Sequence, residues 1–337
     1  MLESIWFFLW GLLWAVYFML DGFDLGLGTL MPVLAKDERD RRHIFNAMGP
    51  FWDGNEVWLI TAGGVTFAAF PDMYATMFSA LYTPLMLILF ALILRGIAFE
   101  FRGKFEHSLL RSIWDGCMVV GSFLPALLFG VAFANIFSGI PIDEQGVYQG
   151  SLLTLLNPYG LCGGLLFVLL FLVHGSLWMA IKAEGDLQER SISAASKIWF
   201  VLVGVAVVFL IASEEATGLY GNYQAYPILY VIPVLAVTGL MLMRIFLFRR
   251  ALWKAWFASC LAIVGCTFFG VAGLFPSLLP SSLDPAYSLT ITNASSSPLT
   301  LKIMLVVALT FVPIVIVYQT WVYHLFKDKV SQQELVY

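Results

Sequence analysis

Charge is what this sequence has least of. Of its 337 residues only 12% are Asp, Glu, Lys or Arg, against 60% that are hydrophobic. A water-soluble domain can neither bury nor expose that much apolar surface. The net charge of -4 comes with no basic stripe, which excludes a nucleic-acid partner. Cysteine is scarce too. Cys117, Cys162, Cys260 and Cys266 all lie in apolar segments and form no CxxC pair. They read as small buried hydrophobes, which excludes a thiolate metal site or a disulfide framework. Of the four histidines, His43 and His107 fall in loops and His324 at the last helix end. Only His174 sits well inside an apolar run, and no two have the spacing of a paired haem ligand set. A lone intramembrane histidine reads as a hydrogen-bonded helix contact, with haem ligation the sharper alternative. The opening Met1-Leu2-Glu3 lacks a basic n-region and its apolar run is long, so it reads as a first span rather than a cleaved leader.

What is present is a series of apolar segments, each near the ~20 residues that a spanning helix needs. About nine occur, at 5–28, 51–71, 73–97, 112–138, 158–181, 197–213, 226–248, 255–275 and 301–325. The expectation is an all-α polytopic membrane protein in a single integral domain covering 1–337. A word recurs within it: Phe129-Gly-Val-Ala132 in the fourth segment and Phe269-Gly-Val-Ala272 in the eighth. An offset of four segments suits a four-helix bundle over 5–138, a second over 158–275 and an additional helix at 301–325.

Basic residues follow alternate segments: Lys36, Arg39, Arg41 and Arg42; Arg102, Lys104 and Arg111; Lys182, Arg190 and Lys197; Arg249, Arg250 and Lys254; Lys327 and Lys329. The intervening loops, around 139–157, 214–225 and 276–300, contain neither Lys nor Arg. The positive-inside rule makes the basic side cytoplasmic, with the N-terminus outside and the C-terminus inside.

Acidic residues gather on that side within the first four segments. Asp21 and Asp24 are three apart near the end of the first, and Asp53 and Glu56 are three apart at the start of the second. Such pairs share a helix face. Arg95 and Glu100 end the third segment and Asp115 begins the fourth. An ionised Asp at a helix centre costs about 2.5–3.5 kcal/mol on insertion scales. Structurally, Arg95 is expected to pair with Asp53 or Asp115 and lock the bundle. One cation cannot neutralise all these carboxylates, so the surplus is protonated or wetted. A wet row of titratable groups entering from one side suits a proton path. Gly22, Gly26, Gly28, Gly63 and Gly64 are expected to permit close helix packing. Tryptophan and tyrosine near segment ends, Tyr323 included, read mostly as an aromatic belt.

Several stretches carry a family resemblance: DGFDLGLG from Asp21, GPFWDGNEVWLITAGGVTFAAFP from Gly49, the Arg95 to Lys104 segment, IWDG from Ile113, GSFLPALLFGVAFAN from Gly121, LLNPYGL from Leu155 and LFPSLLPSS from Leu274. In these, and in their order along most of the chain, the sequence resembles subunit II of the cytochrome bd-type quinol oxidases. The resemblance implies a terminal respiratory oxidase of prokaryotic cytoplasmic membranes, in which quinol is oxidised and O2 reduced to water. It implies nine helices as two four-helix bundles and a peripheral helix. It further implies that two b-type haems and one d-type haem lie on a partner, subunit I, and that this chain ligates none. A very small third subunit, a structural quinone in some members and surrounding lipid belong to the same expectation. Carried over by position, a proton route would use Trp52, Asp53, Arg95, Glu100 and Asp115, with Asp21, Asp24 and Glu56 nearby. Some relatives have Asp at the position of Glu100 and Gln at that of Glu56. Two alternatives stand beside this reading: a stand-alone proton-coupled transporter, and an assembly subunit whose charges only bind its partner.

Overall fold

A computed structural model describes residues 1–330. The chain runs through helices α1 (Leu2–Leu20), α2 (Gly22–Leu34), α3 (Glu38–Met48), α4 (Trp52–Ala69), α5 (Pro71–Ala80), α6 (Tyr82–Phe101) and α7 (Ser108–Ser138). It continues through the short α8 (Leu152–Leu155), then α9 (Pro158–Lys182), α10 (Gly185–Ala216), the short α11 (Tyr220–Ala225), α12 (Val231–Phe248) and α13 (Leu252–Leu274). A two-stranded antiparallel hairpin, β1 (Ser277–Leu279) and β2 (Leu289–Thr290), precedes α14 (Pro298–Leu325). The all-α polytopic expectation holds. Among the described residues eight helices are long and apolar enough to cross a membrane.

The sequence segments and the helices differ in three places. The first span is interrupted at Asp21, which separates α1 from α2. The carbonyls of Met19 and Leu20, just before the break, accept from the side chains of His174 and Asn55. Backbone groups inside a membrane protein must find partners within the protein, and these two side chains supply them. The second expected segment is α4, which is not among those eight because Asp53, Asn55 and Glu56 make its first turns polar. The third, expected as one helix over 73–97, is two: α5 ends at Ala80, and α6 starts after Leu81 with Pro84 in its first turn. Proline lacks the amide that would carry the helix ladder through the junction.

α9 is the central helix and packs against α2, α7, α10 and α13. Its contact with α2 is a backbone approach made by glycine. A Cβ on Gly26 would sit 1.7 Å from the Phe171 carbonyl oxygen, and one on Gly175 would sit 2.4 Å from the Leu27 nitrogen. Gly28 likewise faces Ser122 of α7. Gly63 and Gly64 depart from the expected pattern: among the described residues nothing lies within 4 Å of their Cβ positions, so they pave an open face of α4. Around the crossing, aromatic rings fill the core. Phe23 stacks on Trp178 at 4.4 Å, and Phe18 meets Phe167 edge-on at 4.9 Å. The cysteines are free, with Cys260 buried and the others partly so.

Ion pairs gather the basic loops at one end of the molecule. Arg102 reaches Glu38 at 2.8 Å, Arg190 reaches Asp40 at 2.5 Å, Lys329 reaches Glu184 at 3.4 Å, and Arg250 pairs with Glu189. The loops after α2, α6, α9, α12 and α14 therefore share one face. α3 lies across that face, with its N-terminus capped by the Asp37 side chain. At the opposite end, Ser281 of the β1–β2 connection donates to the Ile142 carbonyl, and Ser296 donates its backbone amide to Ala69. The two long loops free of Lys and Arg are thus fastened to each other and to the end of α4.

Candidate functional site: a buried carboxylate cluster on Arg95

The break at Asp21 places its carboxylate and that of Asp24 inside the bundle, both fully buried. Arg95, fully buried on α6, comes to meet them. Its Nη2 donates to Asp21 Oδ1 at 2.7 Å and to Glu56 Oε1 at 2.6 Å. Charge-assisted bonds of this length are about twice as strong as neutral ones. Asn55, the neighbour of Glu56 on α4, donates from Nδ2 to Asp24 Oδ2 at 2.7 Å and to the Leu20 carbonyl at 3.1 Å. Its Oδ1 accepts from the Tyr323 hydroxyl of α14 at 3.0 Å. Four helical segments thus converge on one buried polar centre that holds three carboxylates and one guanidinium.

Exposure grades along the helix that enters this centre. Asp53 is exposed, Glu56 one turn on keeps about a fifth of its side chain accessible (21%), and Asp21 and Asp24 keep none. Trp52 stacks flat on Phe99 at 4.9 Å, with planes 5° apart, and its ring edge also meets Gly96. That stack fixes the start of α4 against α6 and sets the height at which Glu56 meets Arg95. Glu100, on the last turn of α6, is exposed.

Asp115 stands apart from this centre, and Arg95 pairs with neither Asp53 nor Asp115 as the sequence suggested. Asp115 accepts from Arg102 Nε at 2.5 Å and meets Arg41 at 3.3 Å. Arg102 also forks onto Glu38 with bonds of 3.1 and 2.8 Å, and Arg111 adds a contact to Glu38 at 3.5 Å. This second network ties α3 to the α6–α7 corner. The reason for the exchange is geometric. Arg95 lies two turns deeper on α6 than Arg102, so the deeper cation meets the deep carboxylates and the shallower one meets Asp115.

Reading the sequence missed Tyr17, Asn55 and Tyr323. Tyr17 sits four residues before Asp21, a helix-face spacing that could have flagged it. Asn55 was legible as a polar residue inside an apolar segment beside Glu56, whereas Tyr323 is indistinguishable in sequence from an interfacial tyrosine.

Of the histidines, His174 is the one inside the bundle, and both its ring nitrogens are engaged. His174 Nδ1 is 2.6 Å from Ser259 Oγ and its Nε2 is 2.9 Å from the Met19 carbonyl, with the ring stacked on Trp256 at 5.1 Å. His43 and His107 each have Nδ1 engaged locally, and His324 is exposed at the end of α14.

Comparison with known proteins gives this arrangement its context. Residues 2–326 match the family described as cytochrome bd terminal oxidase subunit II. The chain is 38% identical to a cytochrome bd ubiquinol oxidase subunit 2 of Bacillus subtilis, covering 99% of this chain and 98% of the relative. It is 35% identical to a cytochrome bd-I ubiquinol oxidase subunit 2 of Escherichia coli, covering 99% and 96%. Its fold matches a chain in the bd oxidase structure from Geobacillus thermodenitrificans with a TM-score of 0.81 at 16% identity, covering 96% of this chain and 98% of that one. The chain belongs to the cytochrome bd terminal oxidase subunit II family. It is therefore a multi-pass membrane subunit of an oxidoreductase complex of the respiratory chain, with a subunit I as partner. Family membership leaves little room for a stand-alone transporter.

Proposed function

We propose that this chain is the haem-free subunit of a quinol:O2 oxidoreductase and carries protons from the cytoplasm toward the site of O2 reduction. The relatives from Bacillus subtilis and Escherichia coli are described as ubiquinol oxidase subunits; carried to this chain, the electron donor is a quinol. The two b-type haems and the d-type haem, held by subunit I, would supply electron transfer and O2 reduction. The engaged nitrogens of His174 support this assignment. So does the positive-inside rule, which sets the face of the basic loops in the cytoplasm, the N-terminus outside and the C-terminus inside. The division into bundles over 5–138 and 158–275, with 301–325 outside them, a third small subunit, a structural quinone and bound lipid belong to the same proposal.

The observation that carries the proposal is the gradient from exposed Asp53 through mostly covered Glu56 to fully buried Asp21 and Asp24, all on the basic side. Asp53 and Glu56 are one helical turn apart, and Glu56 and Asp21 are linked by two hydrogen bonds from the same Arg95 nitrogen. Asp53 collects a proton at the surface, and Glu56 exchanges it while held on Arg95. Asp21, on the same guanidinium nitrogen, receives it at depth. Arg95 holds the carboxylates of Asp21 and Glu56 together. One proton is needed for every electron that reaches O2, so an intake on this side separates charge without a pump. Glu100 offers a second exposed carboxylate on α6. For Asp115 the double clamp of Arg102 and Arg41 favours the structural reading, in which its charge fastens α3.

The test is quinol-dependent O2 uptake by the purified complex carrying Asp53→Asn or Glu56→Gln. Roughly hundredfold or greater loss of turnover, in the range ascribed to a positioned proton-transfer group, with haem absorbance unchanged, supports intake. Full turnover in both variants refutes it.

A further inference from the structure

Arg244 is a cation that the carboxylate networks do not use. It lies one turn before the end of α12 and is partly buried. Its Nη1 donates to the Ser196 hydroxyl of α10, and its guanidinium stands 4.8 Å from the Phe200 ring and 5.6 Å from the Trp199 ring. The two rings set the plane of the guanidinium. Among the described residues no carboxylate pairs with Arg244, with exposed Lys197 beside Ser196, or with exposed Arg249 at the end of α12. The sequence gives the reason. No Asp or Glu occurs between Glu189 and Glu214 or between Glu215 and Asp284, and Glu189 is taken by Arg250. A crevice starts at the same corner. Trp199 Nε1 donates to the Leu240 carbonyl at 2.9 Å and fastens α10 to α12. Deeper in the span the two helices part around an apolar cavity of about 120 Å³, whose walls include Val203, Val207 and Leu210 of α10 and Val237, Leu240 and Met241 of α12. Val203 follows Phe200 by three residues and Met241 precedes Arg244 by three. The crevice therefore continues along the helix faces that hold the guanidinium. Val207 and Met241 are about half exposed, so it opens sideways out of the bundle.

We propose that this corner binds one anionic phospholipid from the leaflet on the side of the basic loops, its phosphate on Arg244 and Lys197 and one acyl chain along the crevice between α10 and α12. Basic pockets between membrane helices suit anionic headgroups. A guanidinium carries five N–H donors and never loses its charge, and Ser196 engages only one of its nitrogens. The rest of the planar fork matches phosphate oxygens, which only accept, in paired bonds. The crevice wall is apolar, as an acyl chain is. Each half of the site excludes an occupant. A free phosphate leaves the crevice unfilled. A quinone fills the crevice but brings no charge to Arg244 and Lys197. A zwitterionic headgroup brings an ammonium, and the closest carboxylate along α10, Glu189, is already bonded to Arg250. Bound there, the lipid closes the gap between α10 and α12 and stabilises the folded subunit by mass action.

The test counts lipid on the intact complex. The complex is purified in mild detergent and titrated with dioleoylphosphatidylglycerol, and bound lipid is read by native mass spectrometry. Affinity is expected to fall about fivefold for each basic residue removed, in Arg244→Gln and in Lys197→Gln. Should Arg244→Gln fail to fold, Lys197→Gln, at an exposed position, carries the headgroup test alone. Val207→Trp keeps both cations but fills the crevice, and it is expected to lose the same bound lipid. Dioleoylphosphatidylcholine, which has the same tails and an added ammonium, is expected not to displace it at equal concentration. Unchanged affinity in the two glutamine variants overturns the headgroup site. Weakened binding in those variants with Val207→Trp unaffected marks an anion site without a tail and overturns the crevice assignment. Displacement by phosphatidylcholine at equal concentration overturns the anionic selectivity. A cryo-EM map with a partner helix or a quinone ring in the crevice overturns the proposal outright. The site rests on this chain's own residues and not on the proton-intake reading, so full turnover in Asp53→Asn sinks the intake and leaves the lipid site standing.

Discussion

Arg95 and Asp21 lie on different spans, 74 residues apart in the chain, and meet at 2.7 Å with neither exposed to solvent. Removing one partner of such a pair leaves the other as an uncompensated buried charge. The cost is about 3–5 kcal/mol. Arg95→Met is therefore expected to prevent accumulation of a stable complex, as read by thermal denaturation of the purified enzyme. The double variant Arg95→Met with Asp21→Asn should recover part of that loss, because the orphaned charge is gone.

Glycine at the α2–α9 crossing gives a second prediction. Gly26→Ala places a methyl group against the Phe171 backbone carbonyl, where no side chain can swing aside. Overpacking of this kind costs about 1–3 kcal/mol or more, and the expected result is a clear fall in melting temperature. Gly63→Ala and Gly64→Ala, which meet nothing among the described residues, should leave the stability of the isolated chain unchanged.

His174 separates two readings of a membrane histidine. His174→Gln loses hydrogen bonds to Ser259 and Met19, and each net bond is worth about 0.5–1.5 kcal/mol. The variant complex is expected to be less stable yet to keep its full haem absorbance. Loss of one haem band in an otherwise assembled complex would contradict that outcome.

The clamp on Asp115 yields an asymmetric pair. Arg102 has 2% of its side chain exposed and Glu38 has 42%. Arg102→Gln removes the buried cation shared by Asp115 and Glu38, which keep Arg41 and Arg111, and should destabilise the complex by about 1.5–3 kcal/mol. Glu38→Gln removes only a half-exposed partner, for which about 0–1 kcal/mol is expected. Denaturation curves of the two variants compare them directly.

The membrane class and the sidedness of the loops were legible in the sequence because both are properties of local composition. Apolar length identifies a span, and Lys and Arg sort the loops. Even the carboxylates could be assigned to one end. Their partners could not be assigned, because helix pairing is decided by which faces meet, and nothing local to Arg95 says that it will reach Asp21 and Glu56. The break at Asp21 was hidden for a related reason. Its residues look helical, and what interrupts them is supplied by His174 and Asn55 from other helices. Likewise the Pro84 that separates α5 from α6 sits within a continuous apolar run whose length alone suggested a single span.

The polar first turns of α4 also bear on how the chain enters its bilayer. A helix that begins with Asp53, Asn55 and Glu56 has little reason to leave an insertion channel alone. The guanidinium that answers Glu56 is synthesised 39 residues later, on α6. The asparagine finds its acceptors on α1 and α2, which are already made. Stable insertion of α4 is therefore expected to depend on α6, and a chain truncated before Arg95 should fail to hold α4 in the membrane.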